Sequence, residues 1–270
     1  MTGTTPTARG PKRAGKNAGK STGKSTGNSA GKRAHAPKRG AKAAAGSGQV
    51  PDDRLERSLC GEGARSVAGL DEVGRGAWAG PVSVGVVVFP GDLEPPDGLR
   101  DSKMLTEERR EALYPVINEW CSAWSVGHAD PQECDVLGMT AALRLAARRA
   151  LAGLVLPPRV ILMDGAFDYV SPPMVEADGS DAGGPPPSCS PRVRTVVRGD
   201  ASCVSIAAAS IMAKVTRDRM MRGLSASFPP FDFDRNKGYP SPVHRTALAG
   251  FGLTSIHRRS WSFVDDLAFR

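Results

Sequence analysis

Apolar and polar positions alternate between two periods along most of this chain. "RSVAGLDE" (65–72) has the look of a short strand. "PVSVGVVVF" (81–89) is β-branched and almost continuously apolar, which suits a strand covered on both faces. Pro90 and Gly91 end it. "TEERREALYPVINEW" (106–120) opens on Thr106 as an N-cap, with acids in the first turn and an apolar face behind, and so predicts a helix. "SAWSVGHA" (122–129) predicts a third strand. "GMTAALRLAARRALAGL" (138–154) predicts a helix with Ala and Leu on one face and Arg on the other. Two further strands, "RVILMDG" (159–165) and "RVRTVVRGD" (192–200), each run into an acid. The long pattern "SIAAASIMAKVTRDRMMRGL" (205–224) predicts a helix with small residues early, where backbones can pack closely. From Phe228 onward, Pro and aromatic residues are frequent and the helical pieces short. Strands alternating with helices predict an α/β fold with a mixed sheet.

Two segments fall outside that pattern. Residues 1–50 are Gly, Ala, Ser, Thr and Lys, with too little apolar area to offset the entropy of ordering, which predicts a disordered basic tail. Its "GKST" repeats match a phosphate-binding loop only in spelling, since no apolar strand precedes them and no helix follows. Residues 171–191 are rich in Pro, Gly and acid, and predict a flexible surface insert in a core of 51–225. The formal net charge is +8, yet residues 1–50 hold eleven Lys and Arg and no acid, so the rest of the chain is slightly acidic. Basicity is a property of the tail, suited to salt-sensitive attraction to nucleic-acid phosphates. No apolar run is long enough to span a membrane, and no apolar h-region follows the basic start. The five cysteines (60, 121, 134, 189 and 203) form no C-x-x-C pair and read as reduced thiols, which with the missing leader predicts a cytoplasmic protein.

The chemistry concentrates in "GLDEVGRGAWAGPV" (69–82). If the predicted strands are neighbours, Asp71, Glu72, Asp164 and Asp200 converge at one sheet edge, where ligands of open α/β sheets bind. Carboxylates crowded together repel, and oxygen-only ligands fit Mg²⁺ or Mn²⁺, not zinc. Adjacent strand residues point to opposite faces, so Asp71 and Glu72 can share an ion only if the strand ends or bends there; Gly74 and Gly76 would supply that freedom. Gly74-Arg75-Gly76 suits close approach of a backbone to a sugar-phosphate, with Arg75 able to pair with phosphate. Lys103 precedes a helix N-terminus, a location that favours an anion. Tyr239 offers a ring that can stack on a sugar or base. His257, Arg258 and Arg259 form a local basic cluster suited to a backbone track or to solvent. A purely binding protein would have no use for four carboxylates beside phosphates.

Together "AGLDEVGRGAWAGPVSVGVVV", "DSKMLTEERRE", "ILMDG", "VVRGDASCVSIAAASIMAKVTRDRMM", "KGYPSPVH" and "SIHRRSW" resemble bacterial ribonuclease HII, in the family's order, from about Arg65 to Trp261. The resemblance implies an RNase H-like mixed β-sheet flanked by helices, with a C-terminal helical segment (226–270) that completes the substrate groove. It implies a monomeric endonuclease that cuts the RNA strand of RNA–DNA hybrids, and cuts 5′ of single ribonucleotides in duplex DNA, leaving 3′-hydroxyl and 5′-phosphate ends. Asp71, Glu72, Asp164 and Asp200 match the family's metal-binding catalytic acids. Gly74, Arg75 and Gly76 match the triplet that senses the ribose 2′-OH, Lys103 a phosphate-contacting lysine, and Tyr239 a tyrosine that stacks on the following deoxyribose. The family commonly reads "HKGYGT" where this chain reads "NKGYPS", so Pro240 restricts the backbone beside Tyr239. A ribonuclease HI on the same general fold is the rival, and a duplex carrying one ribonucleotide separates the two.

Overall fold

A computed structural model describes residues 50–171 and 191–266. The tail to Gln49, most of the Pro- and Gly-rich insert with Cys189, and the last four residues lie outside the described residues. A short helix, α1 (Arg54–Gly61), leads into a five-stranded sheet. Its strands are β1 (Val67–Val73), β2 (Val82–Val88), β3 (Ala123–Ala129), β4 (Val160–Asp164) and β5 (Arg192–Val196), in the order β3-β2-β1-β4-β5. The first three pair antiparallel, and β4 and β5 run parallel to β1. The sheet is mixed, as the alternation of elements predicts.

Helices cover both faces. α2 (Glu107–Trp120) and α5 (Val204–Ser225) lie on one side, and α3 (Pro131–Ala152) lies on the other. Thr106 caps α2 by accepting the N–H of Arg109 at 3.3 Å. Small residues set the layer spacing: a Cβ at Gly69 would overlap the Ser205 backbone of α5, and one at Gly127 would overlap the Ala146 backbone of α3. Gly69→Val would therefore push α5 off the sheet. Every residue of β2 is buried, which is what its unbroken Val pattern demands. Leu70, Ile161 and Met163 pack with Leu143 and Ala147 of α3, each large side chain contributing roughly 1.5–3 kcal/mol on burial.

Three elements differ from the sequence reading. α1 was not anticipated; it is held by Glu56, fully buried, whose Oε1 accepts the N–H and hydroxyl of Ser205 at 2.9 and 2.7 Å. α3 starts seven residues before the predicted helix, at a capping box in which Glu133 accepts the Asp130 N–H at 2.8 Å. The predicted start, Gly138, is instead a kink with φ of 74°. Finally, β5 stops at Val196, and Asp200 sits in the first turn of a separate short helix, α4 (Gly199–Ser202), not at a strand end. The C-terminal segment holds α6 (Phe233–Asn236) and α7 (Pro242–Phe251), packed through Phe231, Phe233 and Leu248 against Ala79 and Met221. Among the described residues, no helix is long and apolar enough to cross a membrane, and the four described cysteines are free.

Candidate active site

The pairing of β1 with β4 builds the acid site. Leu70 lies beside Met163, so the next residues along two parallel strands are Asp71 and Asp164. Alternation puts both on the α5 face, with Gly69 and Leu162. Glu72 points the other way, where the Tyr169 hydroxyl donates to its Oε2 at 3.1 Å. β1 does not end or bend at the acid pair, which the sequence reading made the condition for the two to share one ion. It continues to Val73, and the chain turns only at Gly74, with φ of 84°. The two acids straddle the sheet, and one pocket of about 220 Å³ wraps its end and reaches both.

Eight of the nine residues that match the family's site line that pocket: Asp71, Glu72, Gly74, Arg75, Gly76, Lys103, Asp164 and Tyr239. The ninth, Asp200, stands behind it. Its Oδ2 accepts from Lys103 Nζ at 3.4 Å, and its N–H approaches Asp164 Oδ1 at 3.4 Å. Asp164 Oδ1 also takes the Gly199 N–H at 2.7 Å. Arg75 reaches Glu72 at 3.7 Å. Each acid thus has a protein partner. Among the described residues, no three His, Cys, Asp or Glu side chains stand grouped as a ready ligand set for a metal ion.

Electrostatics mark the site all the same. Burial pushes the Asp71 carboxyl up to about 8; the charges of Glu72 and Asp164 add to this, and a hydrogen bond from Ser210 opposes it. Ser210 also hydrogen-bonds Ser102 at 2.8 Å, with either hydroxyl able to donate. Burial raises Asp200 too, and Asp164 and Asp101 reinforce it. Burial works against the Lys103 ammonium, but Asp101, Asp71 and Asp200 outweigh it and hold its pKa above the ordinary value. Asp71, Glu72 and Asp164 share one pocket, and their carboxylate oxygens are the ligand type a divalent cation would take there.

The Gly74-Arg75-Gly76 turn and the residues that follow it rest on two buried arginines, neither paired with a carboxylate among the described residues. Arg217 donates to the carbonyls of Pro81, Lys237 and Ala79 at 2.8, 2.9 and 3.1 Å. Arg258 donates to those of Gly74, Arg75 and Gly80 at 2.7, 3.0 and 3.2 Å. A planar guanidinium spreads five N–H donors in fixed directions over several separated carbonyls, where a lysine offers three from a single atom. Burial pushes Arg258 down to about 10. This corrects the reading of 257–259 as a surface basic cluster: His257 and Arg258 are buried, and only Arg259 is exposed.

Sequence reasoning missed Ser210, Lys214 and Arg217, although a signal was present. With Met221 they recur at helical spacing, i, i+4, i+7 and i+11, and so share one face of α5. Ser210 and Lys214 line the pocket. Lys214 pairs with buried Asp218 at 2.7 Å, and burial lowers its pKa. Tyr239, with Pro240 beside it, keeps its ring at the pocket, where Lys214 and Arg217 stand 5.8 and 5.4 Å from its centre.

Comparison with known proteins identifies the family and the fold. The family model described as Ribonuclease HII matches residues 68–264. A ribonuclease HII of Streptomyces griseus is 52% identical over 223 residues, covering 81% of this chain and 87% of that protein. One from Paracoccus denitrificans is 44% identical, covering 79% and 93%. The crystal structure of ribonuclease H2 from Pyrococcus horikoshii superposes with a TM-score of 0.58 at 27% identity, covering 74% of this chain and 96% of that one. The chain therefore belongs to the ribonuclease HII family, and it is a hydrolase with ribonuclease H activity.

Proposed function

We propose that this enzyme cuts the RNA strand of RNA–DNA hybrids and also cuts 5′ of a single ribonucleotide embedded in duplex DNA. The observation that carries the reading is the shared pocket: the acids and the Gly-Arg-Gly turn face one space, so the group that cuts and the group that checks for ribose can act on neighbouring atoms. Asp71, Glu72, Asp164 and Asp200 are the proposed catalytic and metal-holding residues. When bound there, Mg²⁺ or Mn²⁺ would supply an activated water and positive charge at the leaving 3′-oxygen.

The chain's own groups do the rest. Lys103, with its side chain largely exposed at the pocket rim, receives a phosphate. The backbone of Gly74-Arg75-Gly76, pinned by Arg258, meets the ribose 2′-OH, the one group that tells RNA from DNA at a site. A site built for a hydroxyl rejects the analogue lacking it, because its polar groups would stay unpaired. The Tyr239 ring packs against the sugar that follows. The segment 226–266 contributes that ring and completes the groove as part of this reading.

The tail, which lies outside the described residues, adds sequence-independent attraction to phosphates through its eleven Lys and Arg. Its removal should weaken binding and flatten the salt dependence while leaving cleavage position unchanged. The enzyme acts as a monomer in the cytoplasm on this reading, in replication-linked repair of ribonucleotides in DNA.

The deciding experiment is cleavage of a labelled DNA duplex carrying one ribonucleotide, with Mg²⁺, Mn²⁺ or EDTA. A single metal-dependent cut 5′ of the ribose is expected. Cutting of long hybrids alone would overturn the assignment of Gly74-Arg75-Gly76 and leave a ribonuclease HI-like specificity.

A further inference from the structure

Two histidines that no part of the proposed chemistry uses lie fully buried beside the pocket. His244 is on α7, and His257 follows it in the chain; their Nε2 atoms are 2.9 Å apart. Aromatic rings enclose them: Phe231 lies 5.0 Å from His257, while Phe233 and Trp78 lie 5.3 and 5.7 Å from His244. The protons in this pair can be assigned from their neighbours alone. The backbone N–H of Thr254 donates to His257 Nδ1 at 3.0 Å, so that nitrogen carries no proton and the Thr254 hydroxyl, 2.7 Å from it, donates to it as well. The proton of His257 is then on Nε2 and points at His244 Nε2, which must accept it. The proton of His244 is left on Nδ1, 3.0 Å from the carbonyl of Tyr239, which can only accept. Every donor meets an acceptor, and only one arrangement of two neutral rings does this.

We propose that His244 and His257 are positioning residues for Tyr239: a one-way relay from Thr254 through both imidazoles fixes the Tyr239 carbonyl, and with it the placement of the ring and hydroxyl in the pocket. The part that concerns cleavage rests on the function proposed above. Two further observations support the relay. The Tyr239 hydroxyl accepts the N–H of Gly74 at 3.1 Å, so a shift of the Tyr239 backbone is felt at the Gly-Arg-Gly turn. Burial lowers both imidazoles, His257 to about 3, which keeps the rings neutral at ordinary pH. A charged His244 would set two N–H groups head to head across 2.9 Å, and a charged His257 would set its Nδ1–H against the Thr254 N–H across 3.0 Å; either breaks the chain.

The test has two arms. The first reads tautomers in the unmutated full-length protein, with ¹⁵N-labelled histidine and two-bond ¹⁵N–¹H correlation at pH 7; the chain holds only four histidines. The expected pattern is Nε2–H for His257 and Nδ1–H for His244. The reverse tautomers, or a charged ring, would overturn the relay.

The second arm compares His244→Asn with His244→Gln. The Asn amide falls near the Nδ1 position and can still donate to Tyr239; the Gln amide falls near Nε2 and cannot. On the single-ribonucleotide duplex, His244→Asn should keep kcat/KM within about 3-fold, whereas His244→Gln should lose about 10-fold or more, measured against each variant's own rate on a long hybrid. Equal losses in both variants would reduce the pair to packing and sink the proposal. If the unmutated enzyme does not cut that duplex at all, the proposed function fails while the tautomer arm still tests the relay. A variant that does not fold leaves the tautomer arm intact.

Discussion

The hydroxyl of Tyr239 accepts the backbone N–H of Gly74 at 3.1 Å, across 165 residues of sequence. One bond therefore ties the C-terminal segment to the turn that follows the acid pair, and both of its ends line the same pocket. Tyr239→Phe removes the acceptor and keeps the ring. A single hydrogen bond is worth about 0.5–1.5 kcal/mol net, so kcat/KM on a single-ribonucleotide duplex should fall by roughly 2- to 13-fold. KM for long hybrids should change little. An unchanged rate on the single-ribonucleotide duplex would disconnect this bond from specificity.

The two glycines of the turn should behave in opposite ways. Gly74 has φ of 84°, and a Cβ there would overlap the Arg217 guanidinium and come 2.8 Å from the Pro81 carbonyl. Gly74→Ala should thus cost about 2–4 kcal/mol of stability, visible as a lower Tm. Gly76 has no positive φ and nothing within 4 Å of a built Cβ. Gly76→Ala should stay within about 0.5 kcal/mol of the parent in stability. It should nonetheless lose single-ribonucleotide cleavage, because the space it fills is where the substrate approaches. Normal cleavage by Gly76→Ala would refute the close-approach role.

Asp71 is the acid that burial disfavours most clearly as a charge, so a cation should stabilise the protein through it. Mn²⁺ or Mg²⁺ at a hundred times its Kd should add about 2.7 kcal/mol to unfolding, read as a higher Tm than in EDTA. Asp71→Asn should lose most of that increment. It should still bind hybrid, and cleave it at least about 100-fold more slowly. A metal-induced rise in Tm of the same size in Asp71→Asn would remove this residue from the ligand set.

Glu56 makes a prediction about pH that does not involve the site. Burial raises its pKa above the ordinary 4.5, against the opposing hydrogen bonds from Ser205, so the native state holds the proton more tightly than the unfolded chain does. The stability from this group is complete below about pH 4.5 and is lost as pH rises through the native value. Glu56→Gln stays neutral and keeps an acceptor for Ser205. Relative to the parent, its Tm should gain at pH 8 and show no gain at pH 4. A gain of equal size at both pH values would mean that Glu56 is not protonated more readily when folded.

Much of this protein was legible in order of increasing locality. The Val run of β2 and the small-residue faces of α3 and α5 announced a covered sheet, because apolar period and residue volume are local properties. The acids could be named, since a carboxylate after an apolar run is visible in one dimension. Their grouping was legible only in outline. Asp71 and Asp164 are neighbours because β1 and β4 pair in parallel with Leu70 beside Met163, a register that no stretch of sequence contains. Asp200 was read as a strand end, yet it belongs to a short helix whose first N–H groups lean on Asp164.

What the sequence by itself determined was the family, the covered mixed sheet, and eight residues that line one pocket. What only the tertiary structure decided was which polar groups are buried together. Arg217 and Arg258 look like surface charges in the sequence, because charge and hydropathy say that an arginine belongs in water. They are buried where the carbonyls of a tight turn, drawn in from 74–81, converge and take their N–H groups. That convergence arises from where distant segments meet, and so it cannot be read from the residues one by one.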